Sequence, residues 1–421
     1  MICFSECVAV GATLGMLVGC GSSDAKAGGS AGSTASSAGA TSSAGATSST
    51  GGDATGSGGA DTGPGPTGSS TASSVVAKLG RKGNFLIGMG SDYDAGGDHS
   101  KDGAYLLGPT LDLHYGYLVG LMGKGGWPDW NANGGFVDIL ADSADMKGVA
   151  PMYTLYSMAA NGDGNLAGLS DNGYMKPYFD GMKLLYQRLA AFGKPAVVHF
   201  EPDFWAYAEL QSKDAPASMK VNVSANAPDC VGLSDDLIGL GHCMVKLARM
   251  YAPKALVGFH ASSWSSGDPA TTVAFLKAVG ADQADLVFTD MLDRDAGCFE
   301  AGTDPNCKRT GNFYWDETNQ QSPNFHENFA WVKAVTGGLG LPMMWWQVPF
   351  GVPSATKGGG AGHYRDNRVH YLFSHTQELI DAGGVGAAFG AGADNQTTPS
   401  SDGGQFKTAV TGYFAKPAAL P

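Results

Sequence analysis

The sequence predicts an α/β fold, a closed (β/α)8 barrel, and three observations carry that expectation. Eight apolar segments have strand character, most are followed by a segment with helical apolar spacing, and polar and aromatic residues crowd the strands' carboxyl ends. Repeated strand-then-helix order demands a parallel sheet with right-handed crossovers, and eight units close because closure removes both edges. A doubly wound open sheet is the competing arrangement. Against it, no Gly-x-Gly-x-x-Gly follows the first strand, where Gly88-Met89-Gly90 stands alone.

Strands are expected at 85–89, 111–117, 149–156, 196–201, 255–261, 286–290, 342–347 and 385–390. Helices are expected at 136–146, 175–192, 234–251, 269–279, 323–336, 366–382 and 404–414, each with a 3.6-residue apolar period. Ser234 is the expected N-cap of the third, ahead of Asp235-Asp236, whose charges favour a helix amino end. Gly383-Gly384 is the expected stop before the last strand. No helix is expected after the first strand, where 92–103 reads as a loop.

Residues 21–74 contain only Gly, Ser, Thr, Ala, Asp, Lys and Pro. Such a stretch cannot bury enough apolar surface to offset its ordering entropy, so it reads as a flexible linker. Residues 75–421 then form one domain of barrel size. Ahead of the linker, the apolar run at 8–19 is too short to span a bilayer and reads as the core of an export signal over residues 1–20. Its end, Leu17-Val18-Gly19-Cys20, resembles the bacterial lipobox, which implies lipidation of Cys20 and a membrane contact through that lipid alone. The departure from that pattern is the absence of Lys or Arg before Cys20 and the presence of Glu6.

Setting aside Cys3, Cys7 and Cys20 leaves Cys230, Cys243, Cys298 and Cys307, which allow three disulfide pairings. The two local pairings, Cys230 with Cys243 and Cys298 with Cys307, close short loops and suit an oxidising compartment. Neither spacing suits zinc. The chain carries 39 acidic and 26 basic residues, and residues 75–421 keep 35 and 25 of them. No Lys/Arg cluster accompanies the aromatics, which argues against nucleic acid and leaves a neutral or cationic ligand. A monomer that binds carbohydrate and needs no cofactor or catalytic metal fits this composition.

The segment KPAVVHFEPDFWAY, residues 194–207, is the most informative stretch. A period of two along it puts His199, Glu201 and Asp203 on one face of a strand end, with Trp205 beside them. In a barrel the working residues lie at such carboxyl ends. The other ends offer Asp92, Tyr117, Tyr156, His260, Trp264, Asp290, Trp346, Gln347 and Asp394. Each has a bland alternative: capping, ion pairing, or plain packing for the aromatics.

This pattern resembles the TIM-barrel glycoside hydrolases over most of residues 85–414. Glu201-Pro202-Asp203 is similar to the Glu-Pro-Asp of family 6 cellulases, and residues 251–264 share a strand-then-tryptophan character with them. The catalytic aspartates of that family belong to other motifs, and none is carried over. Phe200 stands where many retaining barrels have Asn before the catalytic Glu, strand seven offers Gln347, and the acidic run of chitinase-like barrels is absent.

The resemblance implies cleavage of glycosidic bonds in a poly- or oligosaccharide by a protonated carboxyl and an ionised one. Glu201 is the expected general acid and Asp290 its partner, with Asp203 as the alternative acid. Trp205, Trp264, Trp345 and Trp346 are expected as sugar platforms, and Asp92, Tyr156, His260, Gln347 and Asp394 as further substrate contacts. Two other readings stay open: a non-catalytic carbohydrate-binding lipoprotein on a degenerate barrel, and a metal-dependent hydrolase. The cluster HYRDNRVHYLFSH, 363–375, has histidine spacings that match no metalloenzyme motif.

Overall fold

The computed structural model describes residues 71–91, 103–291, 315–350, 368–390, 399 and 402–421. Eight strands, β1 (Leu86–Gly90), β2 (Leu113–Val119), β3 (Ala150–Tyr156), β4 (Ala196–Phe200), β5 (Ala255–His260), β6 (Leu286–Asp290), β7 (Met343–Val348) and β8 (Gly384–Phe389), pair in sequence order into a closed barrel. Every pairing is parallel, and β8 returns to β1 through Leu86 opposite Gly386. The expected fold class is therefore the observed one. The open sheet is excluded.

The helices are α1 (Ala72–Lys78), α2 (Trp127–Trp130), α3 (Phe136–Met146), α4 (Asn172–Phe192), α5 (Phe204–Ser212), α6 (Leu237–Tyr251), α7 (Pro269–Ala278), α8 (Phe325–Leu339), α9 (Arg368–Ser374), α10 (Thr376–Asp381) and α11 (Gln405–Ala415). The α6 N-cap is Asp236, whose carboxylate accepts the Gly239 N–H at 2.9 Å. Ser234, the expected cap, instead donates to Asp236 Oδ1 at 2.6 Å and steadies it. An acidic cap suits the positive end of the helix dipole. Helix α10 stops at Ala382, and Gly383 follows at φ +92°, as its glycine pair implies.

Two apolar layers result. Inside the barrel, Leu86, Leu113, Met152, Val197, Leu256, Leu286, Met344 and Val385 fill the cylinder, and Val75, Val76 and Leu79 of the α1 segment close the end where the strands begin. Outside it, Val198, Phe200, Val257, Phe259, Val287 and Trp345 pack against the helices. That division follows directly from the two-residue period of a strand.

Cys230 and Cys243 form a disulfide with Cα atoms 5.5 Å apart, tying the loop before α6 to the helix itself. Cys20, Cys298 and Cys307 lie outside the described residues. Among the described residues, no helix is long and apolar enough to cross a membrane.

Candidate active site

Strand β4 aims Val197 and His199 into the barrel and Val198 and Phe200 toward the helices. Continued, that alternation would also bring Glu201 inward. The backbone interrupts it: φ is +45° at Glu201 and +65° at Asp203, a region that side chains other than glycine rarely occupy. The Glu201 carboxylate instead faces the β3 loop and α4. Its Oε1 accepts the Ser157 N–H at 3.2 Å and its Oε2 the Met158 N–H at 2.9 Å, while the Tyr178 hydroxyl of α4 donates to Met244 Sδ at 3.8 Å.

Tyr174 of α4 holds the other side of the same peptides, contacting Ser157 O at 3.2 Å and Met158 O at 2.8 Å. Burial pushes the Glu201 carboxyl up to about 8, against the lowering effect of the two amides. Its lone pairs point into packed protein, so the expectation that Glu201 donates a proton to substrate is corrected: it braces a loop.

That loop also brings two carboxyls to one phenol. The buried Tyr156 hydroxyl lies 2.7 Å from Asp163 Oδ1 and 2.9 Å from Asp203 Oδ2. Burial, together with the charges of Asp203 and Asp163, holds the phenol far above its ordinary range, so it keeps its hydrogen. The phenol is the donor toward both carboxylates, which lie on either side of it. Tyr156, Met158, Asp163, Gly164, Pro202 and Asp203 line a narrow crevice at this point. Asp163 was not anticipated. Its signal in the sequence is the turn Asn161-Gly162-Asp163-Gly164 just beyond the third strand.

Toward the barrel axis the strand ends contribute an aromatic and imidazole layer. The half-buried Tyr117 ring stands 6.2 Å from Tyr156 and 5.8 Å from Trp346. Gln347, itself at φ +53°, donates to the Tyr117 hydroxyl at 2.5 Å. Below them His199 and His260 meet edge to edge, with ring centroids 5.1 Å apart and Nε2 of the first 3.0 Å from Nδ1 of the second. Asp290 closes β6 with Oδ1 4.0 Å from His260 Nε2. Glu201 and Asp290 thus occupy separate environments, and the expected acid–base pairing of the two is not formed.

The aromatic expectations divide by exposure. Trp205 sits on α5 and packs on Phe259 and Phe204 in the outer core, so it is no sugar platform, and neither is Trp345 of the same layer. Trp346 is enclosed in the barrel against Tyr115, Tyr117 and both histidines and offers no open face. Trp264 is only half-buried, edge-on to Tyr207 at 5.0 Å, and stays a candidate together with Tyr117. A groove of about 290 Å³ adjoins the β3 loop, lined by Leu121, Lys124, Trp130, Ala160 and Asn161 among others. Asp92 and Asp394 lie outside the described residues. Among the described residues, no group of three or more His, Cys, Asp or Glu side chains is arranged to hold a metal ion.

No family model and no curated protein sequence matches the chain. Among solved structures the similarities are distant. The endoglucanase Cel6 of Mycobacterium tuberculosis is 17% identical, over 57% of this chain and 64% of the other, with a TM-score of 0.33. A family 39 glycoside hydrolase of Bacteroides cellulosilyticus is 11% identical over 76% and 58%, with a TM-score of 0.41. The endo-β-1,4-mannanase of Cellulomonas fimi is 13% identical over 84% and 76%, with a TM-score of 0.43. The chain spans less than two thirds of the length of the first two. A D-psicose 3-epimerase of Clostridium cellulolyticum is 11% identical over 78% of this chain and 98% of the other, with a TM-score of 0.40.

Proposed function

We propose that this protein hydrolyses glycosidic bonds of a poly- or oligosaccharide at the carboxyl end of the barrel, with Asp203 as the proton donor. The observation that carries the reading is the Tyr156 hydroxyl held between Asp163 and Asp203. A phenol that keeps its hydrogen fixes the two carboxyls on either side of it, and a carboxyl so oriented can protonate a leaving oxygen. Asp203 is the member at the strand end. Asp163 and Tyr156 keep its carboxyl oriented. Asp290 is the second carboxylate, acting on water or on the sugar, and Tyr117 and Trp264 are the ring-stacking surfaces.

Export as a lipoprotein anchored at Cys20, monomeric and without nucleic acid as a partner, completes the proposal. The Cys230–Cys243 disulfide supports an oxidising destination. A second reading, a carbohydrate binder without turnover, is favoured by one observation: β7 brings Gln347, bound to Tyr117, where a second acid would serve catalysis.

Asp203→Asn tests the assignment. Turnover on natural glycans is expected to fall by about 10²- to 10⁴-fold, the range of a lost general acid. Much less loss is expected on dinitrophenyl glycosides, whose leaving group needs no proton. Equal losses on both substrates exclude Asp203 as the donor. No turnover by the unmodified protein on a broad glycan panel, with binding retained, selects the binder.

A further inference from the structure

We infer that the groove between the loops after β2 and β3 is a sugar subsite, which takes one neutral pyranose unit of a glycan and has Trp130 as its aromatic wall. This subsite rests on the carbohydrate reading above and extends it to residues on the other side of the β3 loop. On the β4 side, Met158, Asp163 and Gly164 of that loop line the crevice shared with Asp203. On the β2 side, Ala160 and Asn161 of the same turn line the groove of about 290 Å³, together with Leu121, Lys124 and Trp130. A glycan lying over the carboxyl end of the barrel meets both by crossing a single loop.

The groove's walls are fixed by their own bonds. Gly120, at φ +76°, and Gly126 close the neck of the β2 loop so tightly that a Cβ on Gly126 would lie 2.3 Å from Leu121 N. Asp129 accepts the Gly123 N–H at 3.0 Å with one carboxylate oxygen and the Gly125 N–H at 2.9 Å with the other. The half-buried Trp130 indole donates to Gly125 O at 3.1 Å and packs against Phe136 with ring centroids 5.1 Å apart. A wall held in place beforehand spares part of the ordering cost of binding. The lining then selects the ligand. Leu121, Ala160 and the indole offer apolar surface to the C–H face of a pyranose, and exposed Lys124 and Asn161 offer donors and an amide oxygen to its hydroxyls. No carboxylate lines the groove to hold a cation. A polyanion is disfavoured too, since residues 75–421 carry 35 acidic against 25 basic groups. A neutral sugar meets both limits, and the volume, at the lower end of ligand-sized pockets, suits one ring.

Calorimetric titration of the full chain carrying Asp203→Asn, which keeps the ligand intact, tests the subsite. The probes are neutral gluco-, manno-, xylo- and galacto-oligosaccharides of six units, with oligouronides of the same length beside them. At least one neutral chain is expected to bind. Adding Trp130→Ala is expected to weaken that binding about 3- to 10-fold, the scale of one aromatic stacking contact. Adding Lys124→Ala instead, at an exposed side chain where folding is not at risk, is expected to weaken it at least about twofold through a lost hydrogen bond. An unchanged Kd in either variant overturns the inference, as does the absence of binding by every neutral chain or tighter binding of an oligouronide. Failure of the glycosidase reading looks different: the unmodified protein binds the six-unit chain with the same dependence on Trp130 and Lys124 yet releases no shorter product from it.

Discussion

Glu201 Oε2 accepts the backbone N–H of Met158 at 2.9 Å, which joins the turn after β4 to the loop after β3 in the interior of the protein. The joint lies between two residues of the candidate site: Tyr156 precedes the gripped peptides, and Asp203 follows Glu201 by two positions. A positive φ at both Glu201 and Asp203 is the backbone's means of sending one carboxyl to the loop and keeping the other at Tyr156.

Glu201→Ala should destabilise the protein by roughly 2–5 kcal/mol, because it strands two buried amides, each costing about 1–3 kcal/mol without a partner. Chemical denaturation of the variant beside the parent measures the loss. A change below about 0.5 kcal/mol would remove the brace from the account.

The pH dependence of stability follows from the same carboxyl. Its value when folded, about 8, lies above its ordinary 4.5, so the folded state holds a proton there that the unfolded chain releases. The stabilisation is complete below the ordinary value and is lost as pH rises through 8. Between pH 5 and 8 the parent should lose stability relative to Glu201→Gln, by at most about 1.4 kcal/mol per pH unit. Parallel stability curves for the two proteins would contradict this.

Tyr156→Phe removes the hydroxyl shared by Asp163 and Asp203 and leaves the ring that packs edge-on to Tyr117. A fall in kcat of about 10- to 100-fold with KM nearly unchanged is expected if, as proposed, the interaction serves proton delivery. A rise in KM alone would assign the tyrosine to substrate contact.

Cys243→Ser opens the loop closed by the disulfide, whose cysteines are 13 residues apart. A loss of about 3 kcal/mol is expected for a loop of this length, and the parent should show a matching loss under reductant. Unchanged midpoints in a denaturant titration would mean that the cross-link adds nothing to stability.

The barrel was legible because its evidence is periodic. All eight strands appear within two residues of their expected bounds, and α3 coincides with its expected range. The gathering of polar and aromatic residues at the strand ends was legible as well, Tyr156 and Asp290 closing β3 and β6. Side-chain direction was not, because two-residue alternation holds only while φ stays extended, and it stops at Glu201. Helix α5 was missed for the same reason: the turn at Pro202-Asp203 starts it within what reads as a strand end, which moves Trp205 into the outer core. Asp163 was missed because a lone acid among glycines in a loop looks like any turn residue until Tyr156 is seen beside it.

Helix α1 bears on how the protein is trimmed for experiments. Val75, Val76 and Leu79 act as a cork, and Lys78 latches onto Asp285 at 2.9 Å while Arg81 reaches Gly148 O at 2.6 Å. A truncation that removes the glycine-rich leader but starts after Leu79 would leave the cylinder open at its base and admit water beneath the histidines. Cutting before Thr71 spares the stopper.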